Sequence, residues 1–332
     1  VSAATRVLKT AAVAAGAAAA AAATVKVAAA RQRRHHDPYK EAAFKAPFER
    51  EHELATFDGG TMYVIESGPV DGQPIVLCHG VTLSVRTWVN QLAELPTRGF
   101  RVFAFDSRGH GGSVCGTAGH DVEHIGTDVR TLVEHFDLHD AVIVGHSMGG
   151  IATQVFATSY PDVLHAHVAG LVLLSTLARA PFSRFQNFVR VARESQPIGG
   201  RVFDGVMARR DIGYLLTRIS LGRKAPESLV EFTREMVMEC SGETRFLAPL
   251  ALAGFDITPK IGAIDIPTLI ICGTADLLTP PAESRRIARR IKTARAEWVQ
   301  GGGHMLMLER PELVDDLIAS FAADVRAPAL SA

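Results

Sequence analysis

The sequence predicts an α/β fold built on a mostly parallel central sheet, and three observations predict it. Short apolar runs rich in β-branched residues alternate with longer amphipathic stretches, which is the rhythm of strands joined by helical crossovers. The runs are apolar along their whole length, as strands covered on both faces must be. At 332 residues and 47% hydrophobic content, the chain can bury one large core or two ordinary ones.

Taken from the start, residues 1–30 differ from everything after them. Ala11 to Ala30 is nearly all alanine and valine, preceded by Arg6 and Lys9 and followed by Arg31, Arg33, Arg34, His35 and His36. A targeting or membrane-anchoring segment is expected, and three readings stay open. A signal peptide would show this basic start, apolar centre and small-residue exit, here Ala21 to Ala23. A spanning helix needs about 20 apolar residues, but Lys26 interrupts the run and alanine is weakly hydrophobic. Under the third reading, a soluble alanine-rich helix, the protein is cytoplasmic. Residues 31–50 read as a polar linker.

Leu54 to Phe57 and Met62 to Ser67, separated by Asp58, Gly59 and Gly60, read as an antiparallel hairpin at one sheet edge. Ile75 to Cys78, Arg101 to Phe105, Ala141 to Val144, Gly170 to Leu174 and Leu269 to Cys272 read as buried parallel strands. Val122 to Phe136, Gly150 to Tyr160 and Ala282 to Ile291 are amphipathic and long enough for the crossover helices. Between Leu177 and Phe255 no convincing strand occurs. The pattern there is helical, so residues 177–255 are expected to form an inserted cap over a core made of 51–176 and 256–326. Arginines outnumber acids in this insert, which would suit an anionic substrate or a lipid surface, although arginine stems often only cover apolar neighbours. Phe182, Phe185, Phe188, Leu215, Leu216 and Ile219 are candidates for an apolar acyl pocket.

Lysines plus arginines equal aspartates plus glutamates at 35 each, so nothing in the charge balance points to nucleic acid. Cys78, Cys115, Cys240 and Cys272 are scattered, with neither a zinc nor a redox-dithiol spacing. They read as core or surface thiols, with a single Cys115–Cys240 bridge left open.

The chemistry concentrates at strand ends. Ala141 to Val144 runs into Gly145, His146, Ser147, Met148, Gly149 and Gly150, and a helix follows. This is Gly-x-Ser-x-Gly in the setting it needs, a sharp strand-to-helix turn that holds the serine Oγ clear of the backbone. A serine hydroxyl is a weak nucleophile until a base takes its proton. His304, on a loop after Gly301, Gly302 and Gly303, is the expected base. Asp276, just after the strand Leu269 to Cys272, is expected to hold the imidazole in the correct tautomer.

With the order Ser147, Asp276, His304, the chain from about Leu54 to Ala323 resembles the α/β-hydrolase superfamily, including its esterases and its cofactor-free haloperoxidase or perhydrolase branch. His79 and Gly80 match the superfamily's His-Gly turn. By that resemblance the backbone N–H groups of Val81 and Met148 would form the oxyanion hole. Asp106 to Ser113 matches an Asp-x-Arg-Gly-x-Gly-x-Ser turn of the same proteins, read here as structural. The resemblance also implies that Cys78 and Cys272 are not on neighbouring strands. It implies two-step acyl transfer on a small-molecule ester, with no cofactor and no metal. Perhydrolysis, carbon–carbon bond hydrolysis and a hydrolase-fold receptor or scaffold are the alternatives, and oligomeric state is not legible.

Overall fold

The computed structural model describes residues 21–34, 36–40, 44–180 and 196–326. Its centre is one eight-stranded sheet in the order β1-β2-β4-β3-β5-β6-β7-β8. The strands are β1 (Arg50–Ala55), β2 (Thr61–Ser67), β3 (Gln73–Cys78), β4 (Phe100–Phe105), β5 (Ala141–His146), β6 (Val168–Leu174), β7 (Thr268–Gly273) and β8 (Ala294–Val299). Only β2 opposes the rest: it pairs antiparallel with β1 and with β4, and the remaining ladders are parallel. The hairpin and the five buried strands expected from the sequence are all present.

Every residue of β3, β5 and β7 is buried, because the sheet is covered on both faces. The period-2 alternation of a strand sends Val76, Ile143 and Ile270 to one face and Ile75, Val142 and Ile271 to the other. The helices α1 (Val89–Glu94), α2 (Val122–His135), α3 (Met148–Ser159) and α4 (Pro161–His167) follow β3, β4 and β5. Val129, Leu132 and Phe156 from α2 and α3 fill the first face, while Trp88 and Leu92 pack on the second.

Between β6 and β7 the described residues form four α-helices: α5 (Gln196–Met207), α6 (Arg210–Arg218), α7 (Glu227–Glu239) and α8 (Gly242–Leu252). A short antiparallel stem closes this insert. Ala180 N donates to Phe255 O at 3.0 Å and Ile257 N to Ala178 O at 3.0 Å. After β7 come α9 (Pro281–Ala288), β8, the single turn α10 (Leu306–Glu309) and α11 (Pro311–Arg326).

Residues 21–32 are helical, and no helix among the described residues is long and apolar enough to cross a membrane. The stretch expected to be a linker is docked rather than free. Arg33 pairs with Asp211 at 2.7 Å and Glu227 at 2.8 Å and stacks its guanidinium 4.4 Å from the Tyr214 ring. Asp37 accepts from the Ser228 backbone and hydroxyl at 2.8 and 2.6 Å, and Phe44 stacks on Phe232 at 4.4 Å. These partners all lie on α6 and α7. The four cysteines are free, so the Cys115–Cys240 bridge left open by the sequence is absent. Cys78 and Cys272 lie on β3 and β7, with β5 and β6 between them.

Candidate active site

The strand order reverses its direction of growth between β3 and β5, since β4 lies beyond β3 and β6 beyond β5. Open parallel sheets bind ligands at such a switch point, outside the carboxyl ends of the strands. Ser147 follows β5 there, Gly80 and Val81 follow β3, Asp276 follows β7 and His304 follows β8.

Ser147 has φ 53° and ψ −114°, a strained conformation for a residue with a Cβ. The surrounding structure holds it: Ser147 N donates to Leu174 O at 3.0 Å, and its own carbonyl accepts from Ile151 N at 3.1 Å and Thr176 Oγ1 at 2.7 Å. The flanking glycines are required by space. A Cβ on Gly145 would stand 2.4 Å from Gly149 O, and one on Gly149 would stand 2.1 Å from Cys78 O.

His304 Nδ1 lies 2.9 Å from Asp276 Oδ2. Asp276 is itself fixed, for its Oδ1 accepts from Leu278 N and Thr279 N at 2.9 Å each and its Oδ2 from Thr279 Oγ1 at 2.7 Å. Burial acts to raise the Asp276 carboxyl, but the neighbouring His304 and the Thr279 donors outweigh it and hold it below the ordinary carboxylate value. It is therefore an acceptor, which fixes the proton on His304 Nδ1 and leaves Nε2 as the basic nitrogen.

Ser147, His304, Val81 and Thr279 line one cavity of about 500 Å³. Among the described residues the Val81 and Met148 amides have no backbone acceptor. Met148 is the first residue of α3, where an amide has no intrahelical partner. The loop carrying Val81 is pinned from below. His110 Nε2 accepts from Thr82 N at 3.0 Å, Asp106 Oδ1 from Val85 N at 2.7 Å, and His79 Nε2 from Ser107 N at 2.9 Å. His79 Nδ1 donates to Gly80 O at 2.7 Å. The Asp106 to Ser113 turn thus carries the loop, as its structural reading requires. Arg108 ties that turn to the hairpin and to α2, through Asp58 at 3.0 Å and a bidentate pair with Asp128 at 2.7 and 2.8 Å.

The rest of the cavity wall is mostly apolar, broken by the hydroxyls of Thr82, Thr217, Ser220 and Thr233. Phe203 and Met207 of α5, Leu216 of α6, Val237 of α7 and Leu252 of α8 face Ile151 and Leu177 of the core. Phe182, Phe185 and Phe188 lie outside the described residues. Leu215 does not reach this cavity; it lines the neighbouring groove with Arg218. Successive helix positions point about 100° apart, so Leu216, also expected, reaches the cavity while Leu215 and Ile219 face the groove.

One contact that sequence reasoning missed involves the residue before Ser147. His146, fully buried, has its Nε2 3.0 Å from His304 O and its ring 4.7 Å from the His304 ring. A carbonyl only accepts, so Nε2 carries the proton. The sequence places His146 in the turn, and nothing in it pairs this residue with one so distant along the chain.

Comparison with known proteins gives a family. A model described as serine aminopeptidase, S33, matches residues 72–311. The chain belongs to the α/β hydrolases. It is 31% identical over 278 residues to a non-heme haloperoxidase from Rhodococcus erythropolis, covering 80% of this chain and 96% of that one. A bifunctional esterase/perhydrolase from Acinetobacter calcoaceticus is 28% identical, with 80% of this α/β hydrolase and 98% of the relative covered. Among solved structures, a thermophilic esterase from Thermogutta terrifontis superposes with a TM-score of 0.71 at 27% identity, over 84% of this chain and 100% of that chain.

Proposed function

We propose that this α/β hydrolase is a serine esterase that cleaves carboxylic esters of apolar acids through an acyl-Ser147 intermediate. The observation that carries the reading is the strained Ser147 opening into the same cavity as a His304 whose Nδ1 is held 2.9 Å from Asp276. His304 Nε2 takes the Ser147 proton as Oγ attacks the ester carbonyl, and gives it to the leaving alcohol when the tetrahedral intermediate collapses. Water then attacks the acyl-enzyme with the same base. The Val81 and Met148 amides receive the oxyanion in both halves; in serine hydrolases one such donor is worth about 10² to 10³ in turnover. The helices α5 to α8 between β6 and β7 act as a cap that supplies the acyl wall.

The apolar lining favours an uncharged acyl group. It also weighs against peptide cleavage from a free amino terminus, because no carboxylate among the described residues lines the cavity to meet an ammonium group. Perhydrolysis is a second reading, favoured by the likeness to the bifunctional esterase/perhydrolase. It uses the same acyl-enzyme with hydrogen peroxide in place of water.

The test is labelling with a fluorophosphonate probe together with hydrolysis of p-nitrophenyl esters of graded chain length. Ser147→Ala is expected to abolish labelling and to lower kcat by roughly 10⁴-fold or more. Labelling that survives in this variant would overturn the assignment. Bromination of monochlorodimedone in acetate and peroxide separates the second reading from plain hydrolysis.

A further inference from the structure

We propose that the mouth of the Ser147 cavity is a docking face for an anionic lipid surface. Four large apolar side chains stand exposed around it: Leu216 (43%), Ile219 (45%), Leu277 (69%) and Leu278 (48%). They come from two separate elements, the end of α6 and the loop after β7. Leu216 and Leu278 line the catalytic cavity, while Ile219 and Leu277 line the groove beside it. The apolar rim is therefore continuous with the site.

That adjoining groove is basic. Arg218, Arg223, Lys224 and Arg310 line it against one carboxylate, Glu309. Glu309 is occupied, accepting from the Gly222, Gly303 and Met305 amides at 2.8, 3.0 and 3.2 Å. Arg218 is turned inward onto the Leu221 and Arg223 carbonyls. Arg223, Lys224 and Arg310 are exposed, and among the described residues Arg223 and Lys224 have no ion-pair partner. Exposed apolar tips flanked by uncompensated cations complement the acyl boundary and the negative headgroups of an anionic leaflet. Gln32, which ends the helical residues 21–32, lines the same groove, so the alanine-rich part of the chain leads to this face. Docking here would present the cavity to esters dissolved in the lipid.

The experiment is co-sedimentation of the full chain with vesicles of phosphatidylcholine alone and with roughly 30 mol% phosphatidylglycerol, a content that gives the surface a negative potential. The wild type is expected to pellet with the anionic vesicles far more than with the neutral ones. Arg223→Gln and Lys224→Gln should each lower partitioning by about fivefold. An Ile219→Ser, Leu277→Ser pair should lower it by at least about tenfold. Unchanged melting of these variants shows that they fold, and this readout does not depend on the ester reading. Failure of the wild type to bind anionic vesicles overturns the proposal. So does equal binding by all variants, which would assign the affinity to the alanine-rich segment instead.

Discussion

At the scale of single residues, the site depends on more than the Ser147, Asp276 and His304 side chains. His146 bridges the turn that carries Ser147 to the backbone of His304, since the bond to His304 O joins residues that arrive from β5 and β8. Replacing it by leucine would leave a buried carbonyl unpaired, at about 1–3 kcal/mol, and would release the loop that aims the imidazole. Displacements near 1 Å in a reacting group can cost on the order of 10² in rate. His146→Leu is therefore expected to lower kcat by about 10- to 100-fold with KM little changed, measured on a short p-nitrophenyl ester. A rise in KM at constant kcat would instead make His146 a binding residue. The strand-end positions of Ser147, Asp276 and His304 were legible because each follows a run whose strand character is written in local composition. His146, His110 and the Asp106 carboxylate act across the sheet, and no periodicity reports a partner so far away in sequence.

At the scale of elements, the helical insert between β6 and β7 is held from two sides. Its stem pairs the 178–180 and 255–257 backbones, and its outer helices α6 and α7 are clasped by the segment that precedes β1. Arg33 is the centre of that clasp. It is mostly buried among Asp211, Glu227 and Glu231, with its pKa raised: burial alone would lower it, but the Asp211 hydrogen bond and the three carboxylates prevail. Because α6 and α7 supply Leu216 and Val237 to the cavity wall, loosening the clasp should loosen the wall. Arg33→Ala is expected to cost about 1–3 kcal/mol, the loss of charge-assisted hydrogen bonds. Limited proteolysis should then cut within residues 196–255 earlier than in the wild type, while the core β strands keep their hydrogen-exchange protection. Unaltered cleavage would mean that the stem alone holds the insert. This clasp was not legible in the sequence. A run such as Arg33, Arg34, His35 and His36 looks like solvated linker until the facing acids on α6 and α7 are brought beside it, and those acids look like an ordinary helix surface. The hairpin, the five buried strands and the crossover helices were legible because each is specified by its own pattern.

At the scale of the whole molecule, the buried histidines tie stability to pH. Burial pulls His79 down to about 4; burial, then repulsion from His79, pulls His110 down to about 3; burial holds His146 well below its ordinary value. All three are neutral in the fold and would each bind a proton in the unfolded chain below about pH 6.5. Their contribution is thus complete above that pH and is lost as the pH falls toward about 4. Each tenfold difference in proton affinity between the folded and unfolded chain is worth about 1.4 kcal/mol, so His79 alone accounts for on the order of 3 kcal/mol. Burial pushes Asp106 and Asp315 up to about 6. Their sign is opposite, because the folded form holds the proton more tightly and gains stability as the pH drops from about 6 to 4. Burial also lowers His120, and it raises Asp128 and Glu309 in the opposite sense, but the imidazoles have the higher unfolded-chain value and so begin to titrate first. The urea midpoint, measured at fixed ionic strength, is therefore expected to fall steadily from about pH 6.5 downward, before ordinary carboxylates near 4 begin to titrate. His110→Gln cannot charge, so its midpoint should decline less steeply over the same range even if it starts lower. A His110→Gln variant whose midpoint declines as steeply as that of the wild type would show that such imidazoles are solvated rather than buried. The loop they support would then not be the rigid carrier of Val81 that oxyanion stabilisation requires.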